Sequence, residues 1–229
     1  MGVKILLVTA TSSEIEPFSA LFNSQSPTIK FEDFEITSLN TGVGMVATAF
    51  SLGNHLATAR YDLAINAGIA GSFDFNLNIG EVVQVTEDVF AEQGAEDGEG
   101  FISIKELGYG ENIQFALNVN EQNTEIDLPL LRSNALLKIK KVKAITVNRV
   151  HGNELSIAKT LSRFSAQIES MEGAAFFYAC NKSKTPCLQI RSISNYVERR
   201  NKENWNIGLA VKNLNDFLRD FLLTNKYES

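Results

Sequence analysis

Apolar positions along this chain follow two rhythms. Short unbroken runs such as "VKILLVTA" have the signature of strands covered on both faces, and longer stretches with apolar residues three and four apart have that of helices. "FEITSLN", "DLAINAG", "GEVVQVTEDVFAE", "VKAITVN", "AQIESM" and "PCLQIRSIS" predict further strands. Helices are predicted between them at "VGMVATAFSLGNHLATAR", "LPLLRSNALL", "NELSIAKTLSRF" and "EGAAFFYACNKS". The first strand leads into "TSSEIEPF", where Ser13 and Glu16 have capping-box spacing and Pro17 falls in the first helical turn. A last helix is predicted from a stripe of Trp205, Leu209, Leu214, Phe217, Leu218 and Phe221. This alternation predicts an α/β fold, a single domain over residues 1–229 with a mostly parallel or mixed central sheet covered by helices. Residues 94–127 break the rhythm, with several Gly and Asn and no strong period. So long a stretch is rarely an inert connection, and a surface excursion toward a ligand or partner subunit is expected.

Composition narrows the class. The length of 229 residues suits one large domain, and 44% hydrophobic against 21% charged residues is the balance of a globular protein with a full core. The net charge of -6 is spread along the chain and argues against a nucleic-acid surface; the basic "KIKKVKAI" reads as a solvated approach to a strand. No apolar stretch nears the roughly 20 residues of a membrane helix. "MGVKILLVTATSSE" has neither the apolar length nor the cleavage site of a signal peptide. Cys180 and Cys187 make neither a disulfide framework nor a zinc site, and no H-E-x-x-H or C-x-x-C spacing occurs. A reduced cytoplasmic protein without metal or cofactor is expected.

Candidate chemistry gathers at predicted strand ends, where α/β proteins keep their ligands. "TGVGMVA" fits G-x-G-x-x-A, but it follows the second strand and the next strand ends in Asn66, so a dinucleotide site is disfavoured. The turn still suits backbone amides approaching some group at a helix N-terminus. "NAGIAGSF" is either a plain tight turn or a wall for a flat ligand. Glu14 and Glu172 read equally as first-turn helix glutamates favoured by the dipole or as functional carboxylates. His55 falls mid-helix, whereas His151 falls at a sheet edge. Asn195 follows a buried strand, where an Asn is ordinary turn chemistry or a group turned toward a ligand.

"VTATSSE", "TGVGMVA", "NAGIAG", "ESMEGAA" and "RSISN", in this order and at these intervals, resemble the nucleoside phosphorylase/hydrolase superfamily, on its methylthioadenosine/S-adenosylhomocysteine nucleosidase side. The resemblance covers nearly the whole chain. It implies a purine nucleoside as small-molecule partner, no nucleic acid or membrane, and a homo-oligomer. It also implies that Glu14 activates the attacking water and that Met171 and Glu172 pack on the sugar and grip its hydroxyls. Ala70 and Gly71 would line ribose and base, with Ser194 and His151 at the same site. Asn195 stands where adenine-releasing members keep an aspartate, which implies a 6-oxopurine leaving group. Superfamily phosphorylases hold phosphate with arginines, and Asn66 stands at one of those positions, which implies hydrolysis. "SNYVERRNKENW" further implies a carboxylated aromatic tail on the sugar, with Arg149, His151, Arg199 and Arg200 as candidate partners. Phe101 and Tyr109 are candidate apolar contacts from the 94–127 stretch.

Overall fold

The computed structural model describes residues 2–22, 26–116 and 128–223. The chain opens with β1 (Val3–Thr9), whose side chains feed two layers because successive residues point to opposite faces. Ile5 and Leu7 join one apolar cluster, and Leu6 and Val8 the other. Parallel neighbours flank it, β3 (Phe34–Asn40) on one side and β4 (Leu63–Ser72) on the other. β2 (Thr28–Phe31) adds an antiparallel edge outside β3. Beyond β4 come β11 (Cys187–Tyr196), β5 (Val82–Phe90), β9 (Lys140–Thr146) and the short β10 (Ile168–Ser170). β10 then pairs antiparallel with the end of β4, through Ile168 with Ser72 and Glu169 with Gly71. Parallel and antiparallel pairings are nearly balanced, so the sheet is the mixed form of the expected fold, and one end closes into a ring.

That closure positions the site. β4 pairs with β1 only as far as Asn66 and with β10 only from Gly71. Between them, one edge of its backbone has no strand partner among the described residues.

Helices α2 (Met45–Thr58) and α5 (Gly173–Ser183) cover one face of the sheet, and α1 (Glu16–Ala20), α3 (Asn134–Lys138) and α6 (Ile207–Leu223) the other. Phe176 and Phe177 of α5 are fully buried, each contributing about 1.5–3 kcal/mol of hydrophobic stabilisation. α4 (Glu154–Leu161) packs beside the closed ring through Ile157.

Several elements depart from expectation. The first helix is short, and its box is Thr11 with Glu14 around a 3-10 turn, Ser12–Glu14, rather than Ser13 with Glu16. "LPLLRSNALL" divides into a 3-10 turn, Pro129–Arg132, and α3, because the Ser133 hydroxyl caps a new start by accepting from Leu136 N. The last helix begins at Ile207, leaving Trp205 outside its stripe, at the end of a 3-10 turn, Lys202–Asn204. β2 was not expected: its two-residue turn to β3 is Glu32-Asp33, with Glu32 at φ 49°, where such turns favour Asn-Gly. Within 94–127, β6 (Gly94–Asp97) and β7 (Gly100–Ser103) form a hairpin, and β8 (Ile113–Phe115) joins β5. Residues 117–127 of that stretch lie outside the described residues. No helix among the described residues is long and apolar enough to cross a membrane.

Candidate active site

The ends of β1, β4, β10 and β11 surround a cavity of about 360 Å³. Glu14, Ala70, Gly71, His151, Met171, Glu172, Ser194 and Asn195, all singled out from the sequence, line it together. A larger groove of about 560 Å³ lies between the β6–β7 hairpin and β9. Its walls mix charges already paired at the surface, such as Lys143 with Glu87 at 2.9 Å, and no catalytic set converges there.

Glu14 is 7% exposed and held by the backbone. Its Oε2 accepts from Ala10 N (3.1 Å) and Thr11 N (3.0 Å), and its Oε1 accepts from Ile69 N (3.2 Å). Ile69 lies in the part of β4 that no described strand pairs on this side, so its amide is available to the carboxylate. Each carboxylate oxygen has room for two donors, which leaves Oε1 one acceptor position. Asn215 of α6 fixes the turn from behind, donating to Glu14 O (2.8 Å) and accepting from Phe18 N (2.8 Å).

Glu172 precedes α5 and does not cap it with its side chain. Its Oε1 accepts from Gly44 N at 3.1 Å. Gly44 adopts φ 94°, a conformation for which glycine is the ordinary residue, so the glycine-rich turn before α2 serves to present an amide to this carboxylate. Glu172 Oε2 faces the Arg191 guanidinium at 3.6 Å. Arg191 is 1% exposed and its Nη2 is buried without a hydrogen-bond partner. A Cβ on Gly68 would overlap the guanidinium and press on Glu14 Oε1 at 2.9 Å, so both groups crowd the same glycine. Arg191 thus stands between the two glutamates, directly behind the cavity wall.

Ser194 and Asn195 both reach the cavity although they are consecutive. A regular strand points neighbours to opposite faces, and the register shift in β11 between Ile193 and Asn195 removes that constraint. The Tyr196 carbonyl can only accept, so it fixes the amide orientation, with Asn195 Nδ2 donating to it at 3.0 Å. Ser194 Oγ lies 2.8 Å from Asn195 Oδ1 and 3.2 Å from Ala70 O, and donates its single proton to one of them at a time. The amide keeps one N–H and one lone pair for a ligand.

His151 lines the cavity with both ring nitrogens occupied. Nδ1 lies 2.6 Å from Glu169 Oε2 and Nε2 lies 2.8 Å from Thr160 Oγ1, while its backbone N donates to Glu169 Oε1 at 2.9 Å. What it offers a ligand is the ring itself. His55 sits elsewhere, bonded to Tyr61 Oη at 2.7 Å. Of the other expected cations, Arg149 lines a neighbouring groove and Arg199 is exposed. Arg200 lies over the Trp205 ring at 5.1 Å, and Trp205 lines the cavity. Phe101 lies under Arg163 in the larger groove and Tyr109 is 80% exposed, so neither reaches the cavity of its own chain.

The model of the phosphorylase superfamily matches residues 4–223. The chain belongs to the phosphorylase superfamily. A futalosine hydrolase of Thermus thermophilus is 29% identical over 184 residues, 80% of each chain. A 5'-methylthioadenosine/S-adenosylhomocysteine nucleosidase of Helicobacter pylori, solved with butyl-thio-DADMe-Immucillin-A, shares the fold with a TM-score of 0.79 at 17% identity. That match covers 98% of this chain and all of that one. The futalosine hydrolase of Helicobacter pylori gives a TM-score of 0.77 at 18% identity over 97% and 98% of the two chains.

Two groups of this superfamily member escaped the sequence reading. Arg191 lies inside "PCLQIRSIS", where a charged residue in a doubly buried strand was itself the signal. Asn215 interrupts the apolar stripe of the last helix, the same kind of signal. Asn66, by contrast, is buried in β4 and does not line the cavity.

Proposed function

We propose that this protein is a purine nucleosidase that hydrolyses the N-glycosidic bond of futalosine and releases hypoxanthine. The observation that carries the reading is the convergence of two carboxylates and one amide, Glu14, Glu172 and Asn195, on a single cavity. Cleavage proceeds through an oxocarbenium-like sugar, so the site must stabilise a cation and a departing base together. Glu172 stands ready to accept from the ribose hydroxyls and lies beside the developing positive charge. Glu14 Oε1, with its open acceptor position, takes a proton from the water that adds to C1'. As the C1'–N9 bond breaks, its electron pair passes into the purine and toward O6. The purine leaves with its negative charge on O6 and takes a proton at N7 from solvent water; Asn195 Nδ2 donates to O6 and its Oδ1 accepts from that N7–H.

Water, rather than phosphate, suits the charge of the site. Among the described residues the lining carries Glu14, Glu169 and Glu172 and no Lys or Arg, so a phosphate dianion meets like charge. The aromatic, carboxylated tail of futalosine fits Trp205 at the cavity wall, with the Arg200 guanidinium lying over the Trp205 ring. Cys180 and Cys187 are buried thiols, which supports a reducing, cytoplasmic setting. Val46 and Phe50 on α2 are 78% and 74% exposed and continue from Val43 at the cavity rim, which supports a homo-oligomer covering this side. Light scattering should give a mass at least twice that of the 25.3 kDa chain; a monomer at micromolar concentration would refute this.

The function is tested by incubating the enzyme with futalosine, methylthioadenosine or inosine, each with and without phosphate, and identifying the base. Hypoxanthine from futalosine without phosphate is expected. Adenine as the main product would instead support the methylthioadenosine/S-adenosylhomocysteine nucleosidases, and a strict need for phosphate the phosphorylases.

A further inference from the structure

Behind the cavity runs a chain of buried polar groups, Asp88, Thr146, Gln189 and Arg191, that are not among its lining residues. Asp88 of β5 is fully buried. Its Oδ1 accepts from Thr146 Oγ1 at 2.8 Å, and its Oδ2 accepts from Gln189 Nε2 at 3.1 Å. Both partners lead to Glu172. The Thr146 hydroxyl accepts from Ala174 N at 2.7 Å, in the first turn of α5, two residues past Glu172. Gln189 Oε1 accepts from Arg191 Nε at 3.0 Å, and the Arg191 guanidinium faces Glu172 Oε2. A Cβ at Gly173 would overlap both Asp88 Oδ2 and Gln189 Oε1, so the residue after Glu172 has to be a glycine for this chain to close.

The chain has a direction. An ionised carboxylate only accepts and a guanidinium only donates, so the Gln189 amide between them has one satisfied orientation. Reversing it would leave a donor against a donor in a site without water access, an arrangement penalised by about 1–3 kcal/mol per unsatisfied group.

We propose that Asp88 is a positioning residue for Glu172: it fixes the polarity of the Gln189 amide, and thereby the Arg191 guanidinium that holds the sugar-facing carboxylate. The inference rests on the reading of Glu172 as the group that grips the ribose. Burial pushes the Asp88 carboxyl up to about 7, against the pull of Thr146, Gln189 and Arg191, and Glu172 pushes it the same way as burial. Arg191 and Glu172 are the charged groups that face it, with neutral Thr146 and Gln189 completing its surroundings. The ionised form is the one whose two oxygens both accept.

Asp88→Asn is isosteric but puts an amide where an acceptor is needed. With the nucleoside that the wild type hydrolyses best, this variant should lose about 10–100-fold in kcat/KM, the scale of a small displacement of a reacting group. Inhibition by free hypoxanthine, which has no sugar, should stay within about twofold. The swapped pair, Asp88→Asn with Gln189→Glu, returns an acceptor to Arg191 Nε and keeps the charge; it should recover most of the loss. A single variant with kcat/KM within about twofold of wild type would overturn the inference. So would a swapped pair no better than the single variant, or a parallel loss of hypoxanthine inhibition. A wild type that prefers another nucleoside would change the assignment of substrate and leave these comparisons to decide the role of Asp88.

Discussion

Glu14→Gln is expected to lower kcat about 10³-fold while nucleoside affinity stays within about threefold, the range for loss of a general base. The amide matches the carboxylate in shape but not in what it can accept. If its oxygen stays toward Ala10 N and Thr11 N, its NH₂ points at Ile69 N and at the water position. There it clashes with one donor and cannot take a proton from the other. If it turns over, two backbone donors lose their acceptor instead. Either way one or two hydrogen bonds are lost, each worth about 1 kcal/mol, so the variant should fold with a modestly lower Tm. Trp205 is the single tryptophan and lines the cavity, so its fluorescence reports nucleoside binding without turnover. A kcat within about fivefold of wild type, with binding intact, would remove Glu14 from the chemistry.

Asn195→Asp should change which base leaves. A carboxyl group at this position meets the Tyr196 carbonyl at the distance now spanned by the amide N–H, 3.0 Å. Two oxygens face each other there unless the carboxyl keeps a proton. Once ionised, the substituted side chain also repels O6, whereas a 6-aminopurine brings an N–H to the same place and is better matched. Release of hypoxanthine should therefore fall about 10²-fold or more, and release of adenine by much less, because mismatched buried polar groups go unpaired. Comparing kcat/KM for paired 6-oxo and 6-amino nucleosides measures this. Equal losses on both would make Asn195 a structural residue of the strand end.

Much of this site was legible because its residues sit at strand ends in short local motifs. Glu14, "NAGIAG", "ESMEGAA" and "SISN" each declare themselves within a few residues, and the parallel strands bring those ends together. What stayed hidden depends on pairing across the sheet. Nothing in "VVQVTEDVF" says that Asp88 meets Gln189, 101 residues later, or that Thr146 lies on its other side. Likewise, the capping spacing of Ser13 with Glu16 was present in the sequence, but the competing pair Thr11 with Glu14 prevailed because Ile69 supplies a third donor. The strand β2 was missed because its turn carries Glu and Asp in place of the residues that announce a tight hairpin.

The extra residue in β11 has a consequence for how this family can diversify. It is the backbone irregularity at Ser194, and not the identity of its neighbour, that turns position 195 into the cavity. Codons for asparagine and aspartate differ by a single base. On the proposed reading, one nucleotide change can therefore exchange the purine edge being read while the scaffold stays as it is. A deletion within the bulge would do the reverse, keeping the amide and rotating it out of reach of any base.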